Sequence, residues 1–215
     1  MCSSDLNCMN ENTKMKVKKA WTLLWKGVVV LVAIFVIVTL LRVLYVSKNT
    51  PAQVAKIHAT KLTMDDVMGV NLPSDPGAEA DKTVAGIDAN KNGIRDDVEL
   101  AIFKEYPNSA KTRAVLLQYA LALQMEAIQP FPNKETVTEV VREQSRAYDC
   151  VNKSITTEDF YKYIEEGDKL LNFVKNRQRD TSERINARKD FIRYVGSYSE
   201  SENEVCDIDL SSLPK

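Results

Sequence analysis

Hydrophobic side chains are distributed along this chain in two different ways. From Gly27 to Val46 they form a nearly continuous run, GVVVLVAIFVIVTLL over residues 27–41, interrupted by Arg42 and resumed through Val46. At a rise of ~1.5 Å per residue, a helix of that length spans a hydrocarbon core of about 30 Å. Arg42 lies near one end, where its stem can carry the guanidinium to the headgroups. Trp21, Trp25 and Tyr45 fall near the two interfaces, where amphipathic rings prefer to sit. Further along, apolar residues recur at intervals of three and four, the period of helices with one buried face.

That periodicity predicts a short helix near Met64 to Met68, a turn-rich break around Pro73 and Pro76, and then a series of helices. The first runs from Asp96 to about Tyr106. A longer one, from about Ser109 to Ile128, carries apolar residues on a wide face (Leu116, Leu117, Tyr119, Leu121, Leu123) and is expected at the centre of the core. Residues 129–133, with Pro130 and Pro132, stop it. A third helix covers Lys134 to about Val151, with Val137, Val140, Val141, Tyr148 and Val151 inward. A fourth is capped by Thr156 or Thr157, with Phe160, Tyr163, Ile164, Leu170, Leu171 and Val174 in its stripe. A fifth starts at Asp180, Thr181 or Ser182 and buries Ala187, Phe191, Tyr194, Val195 and Tyr198. Residues 199–215 read as irregular and acidic. No convincing period-two pattern lies outside the membrane run. The expected fold is all-α: an N-terminal transmembrane helix followed by a compact bundle of about five short helices. The boundaries are residues 1–26 as a cytoplasmic segment, 27–46 as a transmembrane signal anchor, 47–87 as a linker, and 88–215 as an extracytoplasmic helical domain.

Charge gives this arrangement a direction. Lys14, Lys16, Lys18, Lys19 and Lys26 precede the apolar run, and fewer basic residues follow it closely, so the N-terminus is placed in the cytoplasm and the main body outside. A single-pass protein of a bacterial inner membrane is the expectation. The alternative is a secreted protein whose signal peptide, beginning at Met15, is cleaved. The apolar run is long for a signal, and Gln53-Val-Ala is a poor and distant cleavage site. Net charge is −1, and residues 47–215 carry 28 acidic against 23 basic side chains. A mildly acidic body argues against nucleic-acid binding. Cys2 and Cys8 precede the run and would stay cytoplasmic. Cys150 and Cys206 follow it and are expected to form one disulfide, contributing about 2–4 kcal/mol.

Candidate chemistry is concentrated in residues 88–99, DANKNGIRDDVE. Oxygen-bearing side chains occupy its first, third, fifth, ninth and twelfth places, with Gly93 at the sixth. Calcium takes six to eight oxygens at ~2.3–2.6 Å, and a loop curling around it turns alternate side chains inward. The expected ligands are Asp88, Asn90, Asn92, the carbonyl of Ile94, Asp96 and Glu99. The stretch resembles an EF-hand loop and, more closely, the calcium loops of thrombospondin type-3 repeats and related bacterial sequences. This resemblance covers twelve residues and implies calcium binding alone. Arg95 stands where paired EF-hands carry an apolar residue, and a polar stretch replaces the usual entering helix, so a single unpaired loop is expected. Asparagine at two ligand places, with Lys91 and Arg95 adding local repulsion, points to a weak structural ion with Kd of about 10⁻⁴–10⁻³ M.

No phosphate-binding glycine loop, HExxH or G-x-S-x-G motif is present, and the one histidine, His58, lies near the membrane run. Glu165 and Glu166, and the basic cluster Lys175 to Arg179, read as solvated helix faces. Two functions remain. The first is a membrane-anchored, extracytoplasmic calcium-binding module with a structural or interaction role, engaging an envelope protein. The second is an envelope hydrolase that uses carboxylates, with calcium holding its fold.

Overall fold

A computed structural model describes residues 11–128, 133–199 and 204–214. Cys2 and Cys8, the helix stop at 129–132 and part of the acidic tail lie outside the described residues. Among the described residues there are seven α-helices, α1 (Glu11–Ala59), α2 (Met64–Met68), α3 (Asp96–Glu105), α4 (Ala110–Ile128), α5 (Lys134–Ser154), α6 (Phe160–Gln178) and α7 (Ser182–Ile192). A 3-10 turn, Gly77–Asp81, precedes α3. The chain divides into two compact units, one ending at Lys48 and the other beginning at Asn49.

In the first unit α1 is exposed from residue 13 to residue 45. Trp21, Leu31, Phe35 and Leu44 are each at least 66% exposed. Among the described residues α1 is the one helix long and apolar enough to cross a membrane, with mean hydropathy 2.9 over its most apolar window. An apolar cylinder with no protein around it is what hydrocarbon would solvate, and every backbone group within it is satisfied along the helix. The helix is longer than the twenty-residue run because its flanks carry lysines, alanines and other good helix formers. Pro51 lies inside α1 just past the boundary between the units.

The second unit is built on α4, which packs against α2, α3, α5, α6 and α7. Fifteen of its nineteen residues are buried, so it is enclosed on every side rather than on the single wide face the sequence suggests. Its buried polar residues are used to hold loops. Arg113 donates to the carbonyls of Val67, Tyr106 and Pro107, and Gln124 donates to that of Ala85 at 2.7 Å. Gln118 accepts from the Asp207 N–H and donates to the Val205 carbonyl. A buried amide or guanidinium left without such partners would cost about 1–3 kcal/mol, so these residues fix the loop paths as firmly as the apolar core does.

The unit begins earlier than residue 88. Ile57, Leu62 and Val67 are at most 4% exposed and belong to its core, so much of the expected linker is part of the fold. The C-terminal tail is irregular, as its composition indicates, but it is packed. Asp207 ion-pairs with Arg146 at 2.7 Å and with Lys61 at 3.4 Å, and its carboxylate accepts from the Leu62 N–H. Arg146 also meets Glu143. Cys150 and Cys206 form the expected disulfide (S–S 2.09 Å, Cα–Cα 5.1 Å), tying α5 to this tail.

Three details of the helices differ from the sequence expectation. α6 is capped by Asp159, whose carboxylate accepts from the N–H groups of Tyr161 and Lys162, and not by Thr156 or Thr157. Phe160 and Ile164 are 69% and 46% exposed. The buried face of α6 begins one turn later, at Gly167, where the helix passes close to Asn152 and Ile155. Tyr194 and Tyr198 lie beyond the end of α7 and are about half exposed, as is Tyr148 of α5. Phe191 is buried as expected.

Candidate metal loop

The 88–99 loop is folded by its own side chains. Asp88 accepts from the N–H groups of Asn92 (3.2 Å) and Gly93 (3.0 Å), drawing the first place against the turn. The N–H of Ile94 donates to Asn92 Oδ1 at 2.9 Å. Gly93 has φ +85°, and a Cβ there would stand 2.6 Å from Leu121 Cδ1, so the turn both needs the left-handed region and lies directly on α4. Lys91 is the one non-glycine residue with positive φ among the described residues, and its side chain is exposed.

The end of the loop is the start of α3. The Asp96 N–H donates to the Ile87 carbonyl at 2.9 Å, and the Asp96 carboxylate accepts from the Ala89 N–H at 3.0 and 3.2 Å. Asp96, Asp97 and Glu99 occupy the first turn of α3, where the helix dipole favours negative charge. Glu99 is 1% exposed. It accepts from the side-chain amides of Asn90 and Asn92, both at 3.0 Å. Four of the six expected ligands therefore bear on one another: Asn90 and Asn92 close on Glu99, and Asp96 stands in the same helical turn. Ile94 is fully buried, and Asp88 braces the turn from the side.

A residue that loop spacing does not reveal joins them. Asp66 is the third residue of α2, where it completes a capping box with Thr63. Its other oxygen lies 3.5 Å from Asn92 Nδ2. The Thr63-Met-Asp-Asp66 pattern marks the helix start in the sequence, but nothing in it foretells the approach to the loop. The Asn71 carbonyl, accepting from Asn90 Nδ2 at 3.1 Å, comes from the same segment.

Among the described residues, no ion pair reaches Asp66, Asp88, Asp96 or Glu99 (every pair formed in this region belongs to Arg95). Arg95 is fully buried and turned away from the loop. It donates to Asp97 at 2.8 Å, to Asp180 at 3.1 Å and to the Arg177 carbonyl at 3.3 Å. The repulsion expected of Arg95 is thus neutralised by Asp97 and Asp180, and the residue anchors α3 to the end of α6. Burial pushes the Glu99 carboxyl up to about 7, against the pull of the Asn90 and Asn92 amides, and the charges of Asp66 and Asp96 raise it further. Asp96 is also raised, first by burial, with the Ala89 N–H opposing.

The donor set is all oxygen, as a hard cation requires. Its arrangement is closed on itself, however. Among the described residues no three His, Cys, Asp or Glu side chains are grouped as a metal site by themselves. Coordination would need the Asn90 and Asn92 amides to turn so that oxygen replaces N–H toward the centre, a rotation that exchanges donor for acceptor within one side chain. Glu165 and Glu166 are exposed, in keeping with a solvated face. Comparison with known protein families, characterised proteins and solved structures finds no match to this chain.

Proposed function

We propose that this chain is a membrane-anchored, extracytoplasmic module that binds one structural calcium ion in the 88–99 loop. The observation that carries the proposal is Glu99. It is a buried carboxylate, 1% exposed and ringed by oxygen-bearing side chains, raised to about 7 by burial first and then by the charges of Asp66 and Asp96. A divalent cation would supply the missing charge. Asn90, Asn92, Asp96 and Glu99 would hold it with the Ile94 carbonyl, Asp88 would brace the turn, and Asp66 would add a carboxylate from α2. The ion's chemistry here is electrostatic: it neutralises clustered acids and locks α2 and the loop to the start of α3. The Cys150–Cys206 disulfide favours an oxidising compartment, which agrees with export behind the α1 anchor. An envelope protein as partner, and the inner membrane of a bacterium as location, complete the proposal.

The test is thermal unfolding of the full chain in detergent, with calcium or chelator. With Kd of about 10⁻⁴–10⁻³ M, 10 mM calcium stabilises by roughly 1.4–2.7 kcal/mol. The proposal requires that gain to vanish on chelation and to be absent in Glu99→Ala. An unchanged Tm with calcium would refute it.

A further inference from the structure

A second site lies away from the loop, in a cavity of about 660 Å³ bounded by α4, α5, α6 and the segment through and beyond α7. Its wall carries Lys175, Arg179 and Arg188, with Tyr119 and Tyr148 beside them. Behind them stands one carboxylate, Glu126, 8% exposed, which both arginines share, Arg179 at 3.3 Å and Arg188 at 2.6 Å. Gln144 adds a donor to the same carboxylate at 3.1 Å. Three cations thus face the cavity against a single anion. Lys175 makes no ion pair among the described residues. Each arginine spends only one nitrogen on Glu126 (Nε of Arg179, Nη1 of Arg188), which leaves planar N–H pairs unspent. Glu126 acts as a brace that fixes the two guanidinium planes before any ligand arrives.

Tyr119 supplies a further donor. Its ring is 4% exposed, among the described residues no hydrogen bond reaches its hydroxyl, and burial pushes it up to about 12, so it keeps its proton. Leu123, Val141, Ile192 and Val195 give the wall an apolar portion, beside the polar side chains of Gln144 and Ser145. A pocket with an apolar body and a few convergent polar groups is the ordinary form of a small-molecule site. Arginine forks prefer planar or tetrahedral oxyanions.

We infer that this cavity binds a small organic anion, with a carboxylate or phosphate head on Lys175, Arg179 and Arg188 and an apolar or aromatic body against the Leu123–Val195 wall. The site is independent of the calcium loop.

The test is calorimetric titration of the full chain in lipid nanodiscs with phenyl phosphate, benzoate and phenol. Phenyl phosphate or benzoate should bind saturably with one ligand per chain, and the tighter of the two identifies the head group. Phenol, which has the body without the charge, should not saturate. Lys175→Gln should weaken binding about tenfold with Tm unchanged, because that lysine holds no structural partner. Arg188→Gln, which leaves Glu126 paired with Arg179, should weaken it similarly. Higher ionic strength should weaken binding by the wild type. Failure of both anions to saturate, phenol binding as tightly as they do, or unaltered affinity in Lys175→Gln would overturn the inference.

Discussion

Replacing Glu99 with glutamine separates two consequences of its burial. In the unfolded chain the carboxyl titrates near 4.5, and in the ion-free fold near 7. Between those values the folded protein retains a proton that the unfolded chain has released. Stability therefore falls as pH rises from 4.5 to about 7 and is level above it, and the gap corresponds to roughly 3 kcal/mol. Glutamine keeps the shape and removes the charge. Without calcium, Glu99→Gln should be nearly neutral at pH 4.5, where the wild-type side chain is protonated. At about pH 8 it should stabilise by up to about 3 kcal/mol, or about 6–12 °C in Tm for a unit of this size. Circular-dichroism melts of the full chain in detergent with chelator, at the two pH values, measure both effects. With calcium at about pH 8, only the wild type should gain, so the two melting temperatures converge. Equal destabilisation by Glu99→Gln at both pH values would refute the reasoning. It would show that the carboxylate matters as an acceptor for Asn90 and Asn92 and is not a charge held at a cost.

Other parts of the fold give equally definite expectations. Cys206→Ser opens a loop of 56 residues in sequence separation and should lower stability by about 4 kcal/mol by chain entropy, read as a lower denaturation midpoint that reduction of the wild type reproduces. Arg146→Met leaves Glu143 and Asp207 buried without their shared guanidinium, and urea titration should show a loss of about 3–5 kcal/mol.

Helix number and order follow from apolar spacing, and Thr181, one of the three residues expected to start α7, is its cap, accepting from the Arg184 N–H. The exposed ends of α6 and α7 do not follow from spacing. Phe160, Ile164, Tyr194 and Tyr198 keep the helical spacing of buried residues in the sequence, but Phe160 and Ile164 precede the buried face of α6, and Tyr194 and Tyr198 lie past the end of α7. Burial of the tail is equally hidden, because Asp207 reads as a solvated acid until Arg146 and Lys61 are brought to it across more than fifty residues. In the candidate site, the regular spacing from Asp88 to Glu99 is local and therefore readable, and so is the need for Gly93. Asp66 and the turning away of Arg95 depend on tertiary partners, α2 in one case and Asp180 in the other, and no spacing rule within the loop reports them.

The claim that Glu99 is the buried anion awaiting a cation is tested most directly by counting protons released when calcium binds. Near pH 7 about half of the ion-free molecules carry a proton on Glu99, so binding should release about half a proton per ion there, more at pH 6 and almost none at pH 9. Calorimetric titration of the full chain in buffers of different ionisation enthalpy gives that number. One calcium per chain with this pH-dependent release, and no binding by Glu99→Gln, is the predicted result. Calcium binding without proton release near pH 7, or binding that survives Glu99→Gln, would contradict it.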